Sequence, residues 1–253
     1  MEFYKLFDID FSRKELLCFI GGGGKTSTIF KLAKELKKLD KKVLITTSTA
    51  IYYPEKDIYD KIIVDNSIEF IENLENIDCG TITVIGRAVS KENKLLGLSK
   101  ELIEEIHYKK IFDYILVEAD GSKRKTIKAP ADHEPVIPQN TDTTIGVIGI
   151  DSIGKRINEE NVHRPELFCK VTDSKMEEVI SEEKIYQLIK NNRGLFKNVP
   201  FKSKAYILLN KVDNNEELRK AEKIIRLVKT NGFKVDGIIA ANTINKNEFF
   251  LKS

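Results

Sequence analysis

The chain has 253 residues, of which 41% are apolar and 32% charged, with no long uncharged apolar run; this composition describes a soluble globular protein and excludes a membrane-spanning one. Its 42 basic residues against 39 acidic ones leave a formal charge of +3, and the lysines alternate with acids along helical faces, so nucleic acid is not an indicated partner. Glu2, Lys5, Asp8, Asp10, Arg13, Lys14 and Glu15 break any secretory or membrane-anchoring core, which places the chain in the cytoplasm, and Cys18, Cys79 and Cys169 lack a C-x-x-C pair, so buried thiols are expected instead of a disulfide framework or structural zinc.

Short apolar runs alternate with amphipathic stretches along the chain. That is the pattern of a mainly parallel sheet flanked by helices, a three-layer α/β fold. Strands are predicted at 16–20, 43–47, 62–64, 81–85, 114–118, 144–150, 205–209 and 237–240; rich in Ile, Val and Leu, they read as buried on both faces. Between the first two, Ile29, Leu32, Ala33, Leu36 and Leu39 share one helical face while Lys31, Lys34, Glu35, Lys37 and Lys38 face away, which makes a βαβ unit. Asn66-Ser67 and Ser99 are candidate caps of short helices, and Ser174-Lys-Met-Glu177 has the form of a capping box. His107 falls at the end of a predicted helix, where an imidazolium would complement the helix dipole. Near the C-terminus, Leu218, Ala221, Ile224, Ile225 and Val228 repeat the helical spacing up to a stop at Asn231-Gly232. With no internal repeat, low-complexity tract or linker, residues 1–253 are expected to form a single P-loop NTPase-like domain, with 121–140 as its long irregular loop.

The segment FIGGGGKTST, residues 19–28, raises the functional question. The usual phosphate loop, G-x-x-x-x-G-K-[ST], needs a glycine where this chain has Phe19; counting back from Lys25, Gly21 and Gly24 give a shortened G-x-x-G-K-T. It leaves a buried strand and enters a helix, which is the context the motif requires. Gly21, Gly22, Gly23 and Gly24 would let the backbone amides turn toward a phosphate chain, and the helix N-terminus would add about half a positive charge. Lys25 would reach the terminal phosphates, Thr26 would ligate Mg²⁺, and Ser27 lies in the same first turn. The bland alternative is a glycine-rich turn with an N-capping threonine.

Two further motifs follow apolar strands. Tyr114-Ile-Leu-Val-Glu-Ala-Asp-Gly-Ser122 ends in Glu118 and Asp120, at the strand end where open α/β sheets bind ligands. Asp120 is the candidate for holding Mg²⁺, and Glu118 for sharing that role or orienting an attacking water; alternatively Asp-Gly is a plain turn. Asn210-Lys211-Val-Asp213 resembles the guanine-recognition motif of GTPases, in which the aspartate accepts hydrogen bonds from the base while the Asn and Lys shape the pocket. Asn242, after the next strand, is a possible second base contact, although an N-x-D turn is also ordinary after a strand.

The chain resembles the selenium-dependent molybdenum hydroxylase accessory proteins of the YqeC type. The matching segments are Ile20-GGGGKTS27, Val43-LITTST49, Leu116-VEADGSKRKTIKAPADHEPVIP138, Val162-HRPELF168 and Leu208-LNKVD213. The resemblance implies a P-loop nucleotide-binding protein that assists maturation of the cofactor of molybdenum hydroxylases, with those enzymes or their maturation proteins as partners. Its loop, strand and Asn-Lys motifs also look like those of the metallochaperone GTPases of nickel enzymes, an analogy at fold level.

Other segments have no settled chemistry at this point. Lys128 with Asp132, His133 and Glu134 lies in a loop stiffened by three prolines, which would present a substrate or metal, cover the nucleotide, or stay a polar surface. His163 and Arg164 lie either near the phosphates or at a helix start with Pro165 in the first turn. Thr46, Thr47, Ser48 and Thr49 offer hydroxyls to a phosphate or Mg²⁺, or merely end a strand. The leading expectation is a slow Mg²⁺-dependent GTPase, with GTP favoured over ATP. An ATP-dependent kinase or ligase acting on a small acceptor, and a nucleotide-sensing adaptor without catalysis, are the competing readings.

Overall fold

The computed structural model describes residues 2–65, 74–244 and 251–253. Nine strands form one sheet: β1 (Glu15–Gly21), β2 (Val43–Thr47), β3 (Lys61–Val64), β4 (Ile82–Gly86), β5 (Tyr114–Glu118), β6 (Thr143–Gly149), β7 (Lys204–Asn210), β8 (Gly237–Ala241) and β9 (Leu251–Lys252). Their spatial order is β9-β8-β7-β6-β1-β5-β2-β4-β3. All pairings are parallel except that of β9, which runs antiparallel to β8 at one edge. The eight predicted strands are all present, each within a residue or two of its expected ends.

Alternation along β1 explains why the sheet needs cover on both sides. Leu16, Cys18 and Ile20 enter one apolar cluster, while Leu17 and Phe19 enter the other. Two helices, α1 (Phe3–Leu6) and α2 (Lys25–Lys38), cover the second face. The first face takes α3 (Lys100–Tyr108), α4 (Pro165–Thr172), α5 (Glu182–Lys190) and α6 (Asn215–Thr230). The result is an open three-layer α/β fold of the kind P-loop NTPases use.

Several local expectations hold. Ser99 caps α3 by accepting from the Leu102 amide, Pro165 begins α4, and α6 stops at Asn231 with Gly232 at φ 66°. Others need correction. Ser174–Glu177 starts no helix: Glu177 is left-handed at φ 65°, the Ser174 hydroxyl meets that of Thr172, and α5 begins instead at its cap Ser181. Leu39 is exposed as the C-cap of α2, and Glu35 turns inward to accept the amides of Phe3 and Tyr4, capping the short helix α1. Cys18 is buried as expected, but Cys79 is exposed. His107 does end a helix, yet burial, then the neighbouring Lys110 ammonium, pushes its pKa below the ordinary 6.5, so it offers no charge to the dipole at neutral pH. The proposed cap at Asn66-Ser67 lies outside the described residues.

Candidate functional site

The glycine loop begins at the end of β1 and closes against three other segments. Gly23 and Gly24 have φ values of 88° and 123°, a region that side chains rarely adopt. Space also forbids a Cβ there: it would fall 2.2 Å from the Gly149 amide nitrogen at Gly23, and 2.2 Å from Asn210 Nδ2 at Gly24. The first amides of the loop are already committed. Gly21 N–H donates to Asp120 Oδ2 (2.9 Å), Gly22 N–H to the Val147 carbonyl (2.9 Å) and Gly23 N–H to the Lys125 carbonyl (3.2 Å). The expectation that every loop amide faces phosphate is therefore narrowed to Gly24, Lys25, Thr26 and Ser27, whose amides find no acceptor among the described residues.

Helix α2 leaves those amides open because its cap position is Gly24, which has no side chain to turn back on them. Ser99, Ser181 and Asn214 cap α3, α5 and α6. With glycine at the cap, the lost side-chain bond costs only about a few tenths of a kcal/mol. Burial of Ile29, Leu32, Ala33 and Leu36, at about 1.5–3 kcal/mol for each large side chain, holds the helix without it.

Beneath the loop lies a chain of buried charges. Lys25 is 3% exposed, and its ammonium meets the Gly21 carbonyl (2.6 Å), Asp120 (3.1 Å) and Glu118 (3.6 Å). Burial favours the neutral amine, but Asp120 and then Glu118 outweigh it and keep Lys25 protonated. Asp120 also takes Lys128 (3.1 Å), which in turn bonds Glu134 (2.6 Å) and the Gly121 carbonyl (2.7 Å). Arg164 closes the chain with a two-pronged contact to Glu134. Burial pushes the Glu134 carboxyl up, yet Arg164 and Lys128 more than reverse this and hold it at about 2. His163 goes the other way: burial, then the Arg164 and Lys128 cations, depress it to about 4, so its imidazole is neutral.

The two strand-end carboxylates consequently differ. Glu118 lines the open cleft above α2 and accepts from the Thr26 hydroxyl at 2.6 Å. Burial raises its pKa against the pull of Lys25. Asp120 does not line the cleft; enclosed by Lys25, Lys128 and the Gly21 amide, it organises the loop. Of the oxygen-bearing side chains expected to meet a cation, Thr26 and Glu118 thus line the cleft and Asp120 does not. Arg164 likewise does not line the cleft and is spent on Glu134. Asp132 and His133 are exposed beside it, and among the described residues no group of three or more acidic, His or Cys side chains is placed to hold a metal. The hydroxyls at the end of β2 are occupied too: Thr46 bonds the Ile85 carbonyl, Thr47 that of Glu118 and, just after the strand, Ser48 that of Val136.

At the other end of the loop, Asn210 is buried and ties the P-loop down. Its Nδ2 donates to the Gly23 carbonyl (2.7 Å), and its Oδ1 accepts from Thr243 N–H (3.1 Å). Lys211, at φ 69°, lines the cleft and pairs with Asp151 at 3.1 Å. Asp213 is exposed outside the cleft lining, and Asn242 donates to it, so these two residues lie side by side.

The cleft itself has a volume of about 840 Å³. Its floor is Gly23–Ser27, one wall is formed by Ala50, Ile51 and Tyr52, and the rim carries Lys94, Lys123, Arg124, Lys125 and Lys211. With Lys25, six cations face two carboxylates, Glu55 and Glu118, a balance suited to a polyanion. Sequence reasoning missed the wall: Ala50–Tyr52 joins Lys94–Leu96 and Ala88–Val89 in a small antiparallel sheet too short to show a period. The one available signal was the basic run Lys123-Arg124-Lys125 directly after Gly121-Ser122.

A profile of the family described as "YqeC protein" matches residues 17–166. The chain belongs to the YqeC family. It is 30% identical over 193 residues to the "Uncharacterized protein YqeC" of Escherichia coli (strain K12), covering 74% of this chain and 72% of the relative. The match encloses the glycine loop, both strand-end carboxylates, Lys128, Glu134 and Arg164, and in the family profile it stops short of Asn210. Among the described residues, no helix is long and apolar enough to cross a membrane.

Proposed function

We propose that this YqeC-family protein binds a purine nucleoside triphosphate with Mg²⁺ and hydrolyses it slowly, GTP before ATP, in support of molybdenum hydroxylase cofactor maturation. One observation carries the reading: an uncapped helix N-terminus with four uncommitted amides opens into a cation-rich cleft, with Lys25, Thr26 and Glu118 at its floor. In this scheme the amides of Gly24–Ser27 receive the phosphate oxygens, and Lys25 exchanges its bonds to Gly21 and Asp120 for the terminal phosphates. Lys123 and Lys125 screen the remaining charge from the rim. Thr26 and Glu118 supply hard oxygen donors of the kind Mg²⁺ accepts, and the ion would neutralise charge on the transferring phosphoryl group. Glu118, whose carboxyl burial makes more basic, would orient the attacking water.

Support for the role in molybdenum enzymes comes from family membership; support for guanine comes from Asn210, Lys211 and Asp213 grouped with Asn242. A second reading, transfer of the phosphoryl group to a small acceptor, draws on the wall at Tyr52, which a nucleotide on the loop would leave uncovered. Calorimetry with GTP and ATP, with and without Mg²⁺, tests the common premise, and product analysis separates hydrolysis from transfer. Absence of affinity for either triphosphate would remove the whole scheme.

A further inference from the structure

The cleft extends to both sides of the glycine loop. Lys211 follows β7, which is two strands from β1 across β6; Tyr52 follows β2, two strands from β1 on the opposite side, across β5. With neighbouring strands about 4.8 Å apart, β7 and β2 are separated by about 19 Å across the sheet, with β1 midway between them. A nucleotide whose phosphates occupy the loop can lay its base toward one end only.

The Tyr52 end has its own recognition chemistry. The ring is 51% exposed in a cleft wall, with the Arg124 guanidinium carbon 3.9 Å from its centroid and Lys94 Nζ at 5.8 Å. Arg124 is held there by an uncommon backbone: Lys123 and Arg124 are consecutive non-glycine residues at φ 47° and 62°, in a turn closed by the Lys125 amide on the Ser122 carbonyl. Left-handed conformations of long side chains persist where the surroundings fix them, and they concentrate at ligand clamps. An aromatic face between two cations matches a flat ring that carries negative charge.

We propose that Tyr52, Lys94 and Arg124 form a subsite for a second ligand, a planar heterocycle bearing a phosphate, which binds beside the nucleotide. This rests on the reading of the loop as the triphosphate site only in assigning the two ends of the cleft to different molecules.

The test uses the full chain and flavin mononucleotide as a planar, phosphate-bearing probe, followed by quenching of its fluorescence, with riboflavin and inorganic phosphate as controls. Expected are saturable quenching by the native protein, affinity weakened about tenfold in Tyr52→Ala and in Arg124→Ala, and weaker binding of riboflavin. Mg²⁺-GTP, measured separately by calorimetry, should bind Tyr52→Ala within about twofold of the native protein. Tyr52 is a surface side chain, and a thermal melt confirms that the variant is folded. No saturable flavin mononucleotide binding, binding indifferent to both substitutions, or displacement of the probe by GTP would each overturn the subsite. If Tyr52→Ala weakens GTP as much as the probe, the wall holds the nucleotide base and the proposal also fails. Because the probe arm needs no nucleotide, failure of triphosphate binding is read independently.

Discussion

Beneath the glycine loop, Lys25, Asp120, Lys128 and Glu134 are each 5% exposed or less, whereas beside it Lys211 is partly open and Asp213 is exposed. Lys25 from the first group and Lys211 from the second line the cleft, but folding constrains the two groups differently. A buried charge stripped of its partner stays in a medium that cannot solvate it, so the chain from Lys25 to Arg164 must be completed whenever the protein folds. An exposed carboxylate falls back on water. The first group therefore builds the loop, and the second carries no such folding constraint.

The sharpest way to break this contrast is Asp120→Ala. As the organiser of Lys25, Lys128 and the Gly21 amide, Asp120 should cost about 3–5 kcal/mol when removed, read by urea denaturation without any nucleotide. Were it only a metal ligand, the apo protein would unfold at nearly the native urea concentration. Glu134→Gln probes the far end of the same chain. The Glu134 pKa, lowered from its ordinary 4.5 to about 2, contributes up to about 3 kcal/mol above pH 4.5, and this is lost as pH falls through 2. The stability gap between native protein and variant should accordingly be widest near neutrality and close between those two pH values. A gap that stays constant down to pH 2 would show that Glu134 is not the ionised partner of Lys128 and Arg164.

This contrast also explains what was legible in the sequence. The strands were readable because burial on both faces makes them continuous Ile, Val and Leu runs, and the loop because G-x-x-G-K-T sits between a strand and a helix. Glu118 and Asp120 were found together, but their division of labour was not, since two carboxylates at alternate positions look alike until Lys128 arrives from a loop eight residues on. Arg164 was readable as a phosphate contact or as a helix start, and its position before Pro165 bears out the second; its bond to Glu134 left no mark, because an arginine near a P-loop motif and one neutralising a buried glutamate have the same one-letter code. Neither the short strand carrying Tyr52 nor the two-residue pairing of Ile127–Lys128 with Val162–His163 is long enough to leave a period, and tertiary contacts alone specify them.

The smallest effect on folding, and the most informative one on specificity, belongs to Asp213→Asn. The side chain is exposed and its amide counterpart keeps the same shape, so stability should change by less than about 0.5 kcal/mol. Guanine presents two N–H donors to a carboxylate, and an amide can meet only one of them with its oxygen. GTP affinity should then fall about tenfold, while xanthosine triphosphate, which replaces the exocyclic amine with an oxygen, should gain by a similar factor. Calorimetry on both nucleotides reads the exchange directly. Unchanged GTP binding would remove guanine from the proposal while leaving the phosphate floor intact, because Asn210 acts on the loop through Gly23 and does not depend on Asp213 to do so.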